Sequence, residues 1–314
     1  MTTVAAKPEG VGTPPRRRGK SVLRHWQLYS LLVLPLIYFL VFRYVPMIGN
    51  VIAFRQYIPG GSIFGESWVG FQNFTLFLTD PNFWTVFRNT VMLGGLTLVF
   101  GFPVPLVLAL LMNELRTRWF KRFVQTTTYL PHFLSVVIVA GMVFQLTSLH
   151  GSINELLSAV GLQKISFMQE PGWFPAIYVG SEIWQTAGWG TILYLAALTT
   201  IDENLYEAAR IDGANRWQQT WHVTLPGILP TVMTLLILNI GTFMAVGFEK
   251  ILLLYNPVTY STADVISTYL YRVGIQAGSF SYAAAIGMFE ALIGVILVVG
   301  ANLVSKRVVG SSLW

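Results

Sequence analysis

The stretch LYEAARIDGANRWQQTWHVTLP, residues 205–226, gathers the side chains best suited to grip another protein. Glu207 supplies a carboxylate that takes charge-assisted hydrogen bonds from an arginine, either Arg210 close by or one on a partner. On a helix, Leu205, Ala208, Ala209 and Asp212 share one face by their i, i+3, i+4, i+7 spacing. The two alanines on that face leave room for a foreign backbone or ridge to come close. Gly213 tolerates left-handed backbone angles, so the segment reads as helix, break, helix. Trp217 and Trp221, four apart, are expected to stack on one side of the second helix. Pro226 is expected to end the polar loop, with the next apolar stretch beginning at Gly227.

A second set of chemically capable residues lies inside apolar stretches, where a charge left in lipid is costly and so marks a function or a partner. Glu182 has Gln185 and Thr186 within a turn, Asn239 and the pair Glu249 and Lys250 lie further on, and Glu290 follows. Each is read either as an inter-helix hydrogen bond or as the polar lining of a pathway. Carboxylates, amides and aromatic faces bind sugars, which makes Glu182, Trp184, Gln185, Asn239 and Glu290 the candidates for a substrate pathway. Arg43, Arg88 and Arg272 would suit an acidic saccharide, and anchoring in the outer leaflet explains them equally well. Catalytic chemistry finds no support. There is no cysteine, and His25, His132, His150 and His222 are scattered without ligand spacing, so no metal site is expected. No H-E-x-x-H occurs. RRRGKS, residues 16–21, imitates the end of a phosphate loop but has Pro14 where the first glycine is required.

The elements that must hold these residues are read from hydropathy. The chain is 314 residues long, 54% hydrophobic and only 11% charged. Soluble domains carry about 25% charge, so a bilayer-embedded, all-α polytopic protein is expected. Six stretches are long enough to span, at roughly 27–54, 84–112, 123–147, 173–199, 227–254 and 281–304. Residues 1–24 read as a basic disordered tail and 25–314 as the membrane domain. The tail, the connections around 113–122 and 200–226, and the segment from 305 hold 14 of the 20 lysines and arginines. Cationic loops stay in the cytoplasm, so both termini and the 200–226 loop are expected there. That placement also explains the net charge of +6 without a nucleic-acid partner. GSINELLSAVGL, residues 151–162, reads as a short amphipathic helix on the outer interface. No internal repeat and no broken helix is evident, which argues against an ion-driven secondary transporter.

Glu207-Ala208-Ala209, three residues, Gly213, nine residues, Val223, one residue and Leu225-Pro226 together resemble the EAA loop of membrane subunits of bacterial ATP-binding-cassette importers, with every fixed position met. Residues 26–74, the stretch LLLYNPVTYSTADVISTYLYRVGI and the ending ANLVSKRVVGSSLW look like carbohydrate-importer permeases of the polysaccharide and complex-sugar branch. The resemblance implies a type I importer permease in a bacterial inner membrane, importing an oligo- or polysaccharide. It implies a second homologous permease in a heterodimer, two copies of a cytoplasmic ATPase and an extracytoplasmic solute-binding protein, with membrane lipid around the spans. ATP and magnesium would be held by the ATPase, with no cofactor in this chain. Glu207, Ala208, Ala209, Asp212, Gly213, Leu225 and Pro226 would then be the residues that couple the permease to the ATPase.

Overall fold

The structure, a computed structural model, describes residues 26–62, 64–308 and 310; the expected basic tail lies outside them. The chain divides into two units after Val51. In the first, the helix Trp26–Phe39 continues through a wide π turn, Leu40–Tyr44, into Val45–Gly49. The apolar run Tyr29–Phe54, 26 residues, is long enough to cross a bilayer.

Among the described residues the regular elements of the second unit are all helices, joined by turns and loops, with an isolated bridge between Arg55 and Trp68. Four further stretches are long and apolar enough to cross: Phe83–Asn113, Val136–Ala159, Arg216–Gly241 and Phe280–Arg307. The 25-residue helix Phe174–Leu198 is also long enough, at roughly 37 Å for a 1.5 Å rise per residue. Its polar residues Ser181, Glu182, Gln185, Thr186 and Thr191 keep its composition below that of the other five. The reason is position. It packs against Pro103–Asn113, Arg118–Tyr129 and Leu225–Gly241, and ten of its residues are buried. A helix wrapped in protein has little lipid-facing surface to keep apolar.

Two expected spans differ in detail. The stretch drawn over 123–147 is interrupted. Arg118–Tyr129 is an amphipathic helix, Pro131 sits in a short turn at Leu130–Phe133, and a new helix starts at Val136, where the Ser135 hydroxyl accepts from the Ile138 N–H. The helix is therefore Val136–Thr147, and after a turn the short helix expected within 151–162 forms at Ser152–Ala159, the two together making the apolar run Val136–Ala159. The stretch drawn over 227–254 is also broken, because Leu225–Gly241 ends before Thr242 and a separate helix, Phe248–Leu254, follows. The expectation of unbroken helices fails here because neighbours take over at the break. Gly94 lets its helix reach the Phe243 carbonyl, and Gly247 lies directly against the Tyr178 hydroxyl.

Close helix contact elsewhere also depends on glycine. A methyl group at Gly188 would collide with the Thr128 carbonyl, which is backbone and cannot swing aside. Gly188→Ala is therefore expected to destabilise the bundle by about 2 kcal/mol through overpacking. Thermal unfolding of the detergent-purified protein measures it, and an unchanged midpoint would mean the two helices can separate freely.

Candidate functional site

The polar segment after Phe174–Leu198 forms a rigid corner. Asp202 caps the helix Glu203–Ile211 by accepting from the Asn204 N–H at 3.0 Å. At the other end the Gly213 N–H bonds to the Arg210 carbonyl and the Ala214 N–H to the Ala209 carbonyl, with Gly213 at φ +82°. This is a Schellman cap, which needs the left-handed residue that glycine supplies. Asn215 and Gln218 then exchange hydrogen bonds as a capping box and restart the helix at Arg216. Pro226 does not end the segment as expected. The helix runs unbroken from Arg216 through a π turn at Thr220–Thr224 to Gly241, and Pro226 sits in the first turn after that widening, where a missing N–H is tolerated. The second half of the polar loop is thus the first part of a span.

Two contacts stiffen the corner. The Tyr206 and Thr224 hydroxyls lie 3.0 Å apart, and Ile201 packs over Gly227. A third reaches the end of Pro103–Asn113, where Arg216 pairs with Glu114 at 2.5 Å. Glu207, Ala208, Asp212 and Gly213 are exposed and Ala209 is half-buried, so the predicted face, Leu205 included, is presented outward, with Ile211 exposed beside it. Glu207 makes no ion pair among the described residues, so of the two alternatives the local pairing with Arg210 does not form. Trp217 and Trp221 meet edge to face at 5.8 Å rather than stacking flat.

The second region is a cavity of about 420 Å³ between Phe83–Leu96, its π turn Thr97–Gly101, Phe174–Leu198 and the break after Gly241. Glu182 and Asn239 both line it, with Thr186, Thr242, Tyr178 and Trp189. The other three candidates lie elsewhere. Gln185 is buried and donates to the Leu134 carbonyl at 3.1 Å, which makes it a packing residue. Trp184 is 46% exposed and does not line the cavity. Glu290 opens on a separate groove of about 500 Å³ lined by Gly241, Gly287, Ala291 and Gly294. Glu182 is not a free carboxylate. It accepts from Lys250 at 2.5 Å, and Lys250 is only 3% exposed. This pair clamps Phe248–Leu254, the helix after the break, to Phe174–Leu198. Sequence reading placed both charges in spans without joining them. The available signal was that two opposite charges in neighbouring apolar stretches lower each other's cost.

Arg88 and Arg272 are committed within the fold. Arg272 donates to both Asp264 oxygens, at 3.2 and 2.5 Å, and lies over the rings of Tyr260 and Tyr269. Arg88 donates to the Ser261 carbonyl at 2.8 Å. Beside them Asp80 accepts from the hydroxyls of Tyr269 at 2.7 Å and Tyr282 at 3.0 Å. Partial burial opposes its charge, but these bonds and those from Asn82 outweigh it and hold the carboxyl below its usual range. A carboxylate lowered in the folded state adds stability above its unfolded pKa, near 4, and that stability disappears as pH falls through the folded value. Asp80→Asn is accordingly expected to flatten the acid limb of a melting-temperature profile below about pH 4. An identical acid limb in the variant would show the carboxylate contributes nothing.

Comparison with known proteins places this geometry. Residues 101–310 match the family described as binding-protein-dependent transport system inner membrane component. Protein LplB of Bacillus subtilis (strain 168) is 46% identical over 281 residues, 89% of this chain and 88% of that protein. The polygalacturonan/rhamnogalacturonan transport system permease protein YteP of the same organism is 47% identical over 281 residues, with the same coverage of 89% and 88%. A chain from the crystal structure of a bacterial alginate ABC transporter, in complex with an alginate pentasaccharide-bound periplasmic protein, superposes with a TM-score of 0.87 at 44% identity, covering 95% of this chain and 100% of that one. The family match spans two thirds of the sequence and the relatives cover 89% of it, so the chain belongs to the binding-protein-dependent transport system inner membrane components.

Proposed function

We propose that this chain is a channel-forming subunit of an ATP-driven importer of oligo- or polysaccharides, and that the corner at residues 203–213 is where a cytoplasmic ATPase drives it. Family membership makes it a transport subunit served by a binding protein, not an ion-gradient carrier and not an enzyme. The saccharide class is supported by relatives that carry polygalacturonan, rhamnogalacturonan or arabinooligosaccharides in their names, and by the alginate transporter. The chain would cross the inner membrane six times, with Phe174–Leu198 as the fourth span in chain order and both termini in the cytoplasm. Its partners would be a second permease in a heterodimer, two ATPases that hold ATP and magnesium, and a solute-binding protein outside.

One observation carries the mechanism: a single helix, Arg216–Gly241, joins the exposed corner to the cavity. Ala208 and Ala209 would admit the ATPase surface, Glu207 and Asp212 would meet its cations, and Gly213 with its cap would make the corner move as one piece. Leu225 and Pro226 would stiffen the root of the lever. ATPase closure would shift the lever, and Leu235, Asn239 and the break at 242–247 would carry that shift into the cavity wall. Glu182 and Asn239 would face the passing sugar. Uptake by the assembled transporter in vesicles is expected to follow internal ATP and to survive collapse of ion gradients. Loss of uptake on adding an ionophore, with ATP intact, would contradict the reading.

A further inference from the structure

A cationic and aromatic helix remains without a role in this scheme. Arg118–Tyr129, sequence RWFKRFVQTTTY, contains no acidic residue. Arg118, Lys121 and Arg122 lie at i, i+3 and i+4, so their charges repel one another along one face, and Arg116 adds a fourth cation two residues earlier. None of the four joins an ion pair among the described residues, and the nearby Glu114 is taken by Arg216. Trp119, Phe120 and Phe123 occupy a different face and are all exposed, with Trp119 stacked on Phe123 at 5.9 Å. The half-buried residues Lys121, Val124, Gln125, Thr128 and Tyr129 mark the side on which the helix packs on Phe174–Leu198, with Arg118 and Arg122 exposed at its edge. By helical spacing the cations lie at the N-terminal end of the protein-held side, Lys121 in line with Gln125 and Thr128 and Arg122 in line with Tyr129, while the aromatic side is bare and borders Arg122 at Trp119, three residues away.

We propose that this surface binds the phosphate headgroups of anionic phospholipids, with Arg116, Arg118, Lys121 and Arg122 around the phosphate and Trp119, Phe120 and Phe123 in the acyl region beneath. Charge and apolar surface are complementary to one occupant. An anionic lipid offers a phosphate beside hydrocarbon, and aromatic residues settle at that boundary. A soluble anion would satisfy the cations and leave three large rings in water. The bound lipid holds the helix in the plane of the membrane and so fixes a wall on which the cavity helix rests, through the Thr128–Gly188 contact. Anionic lipid becomes part of the structure that transport works against.

The test uses the assembled transporter, purified in detergent and titrated with phosphatidylglycerol, with retained lipid counted by native mass spectrometry. Phosphatidylcholine of equal chain length is the control. Lys121→Gln with Arg122→Gln is expected to weaken phosphatidylglycerol binding roughly 5-fold per cation, on the order of 25-fold together, with phosphatidylcholine unaffected. Lys121→Arg with Arg122→Lys, which keeps both charges, is expected to bind as the native protein does and shows that the sites tolerate substitution. Equal retention of phosphatidylglycerol by the native protein and the Gln variant would overturn the proposal. So would displacement of the lipid by inorganic phosphate alone, since that would assign the site to a free anion.

Discussion

Gly213→Val is expected to separate the permease from its ATPase while leaving the chain inserted in the membrane. Gly213 has φ +82° and no neighbour within 4 Å of where a Cβ would sit, so crowding is not the issue. The strain is in the backbone, where a β-branched residue in the left-handed region costs about 1–3 kcal/mol. The chain relieves it by rotating out of the Schellman cap, which frees the Arg210 and Ala209 carbonyls and turns a fixed corner into a hinge. The exposed helix Glu203–Ile211 then no longer moves with Arg216–Gly241. Co-purified ATPase should fall roughly tenfold, the equivalent of about 1.4 kcal/mol, and substrate-stimulated ATP hydrolysis should fall further. Gly213→Asn is the control, because asparagine enters the left-handed region readily and should retain both. Normal ATPase yield and turnover in the valine variant would show that the corner carries no force.

Glu182→Ala is expected to have the largest effect on the membrane domain itself. It strands Lys250, which is 3% exposed and has Glu182 as its ion-pair partner. Breaking one half of a buried pair costs about 3–5 kcal/mol, and the lower end applies because Glu182 is partly open to the cavity. The helix Phe248–Leu254 loses its clamp to Phe174–Leu198, and the expected result is poor yield as well as lost transport. A defect in Glu182→Ala alone therefore does not distinguish a packing role from a pathway role. The double variant Glu182→Ala with Lys250→Met does, because it removes both charges and fills the space. Its unfolding temperature should return close to that of the native protein. Transport that stays impaired in that stable background assigns the carboxylate to the pathway, whereas recovered transport assigns it to the fold alone.

How far the sequence shows these features depends on how local their causes are. The corner at 203–213 is legible because each of its determinants is local: Asp202 as cap, two alanines on one face, a glycine at the left-handed position and an Asn–Gln capping box. Hydropathy finds the apolar stretches for the same reason. It misplaces two of them where a tertiary partner decides the outcome. The break after Gly241 depends on Gly94 and Tyr178, residues far away in the chain, and Pro226 is absorbed into a helix by the π turn before it. The cavity residues are legible by type but not by grouping. Glu182 and Asn239 come together while Gln185 turns to the Leu134 carbonyl, although Gln185 is the closer to Glu182 in sequence. The pairs Glu182–Lys250 and Glu114–Arg216 join residues 68 and 102 apart, a distance over which no local pattern operates.

The most direct test of the central claim is a contact measurement at Ala208. The chain has no cysteine, so Ala208→Cys provides a single thiol on the exposed corner for a short photoactivatable cross-linker. In the assembled transporter, the adduct should form with the ATPase, and its yield should change between nucleotide-free and ATP-bound states as the corner is driven. If the thiol links only to lipid or solvent-borne quencher in every nucleotide state, while the complex remains active, the corner is not the point of drive and the mechanism proposed for this chain is wrong.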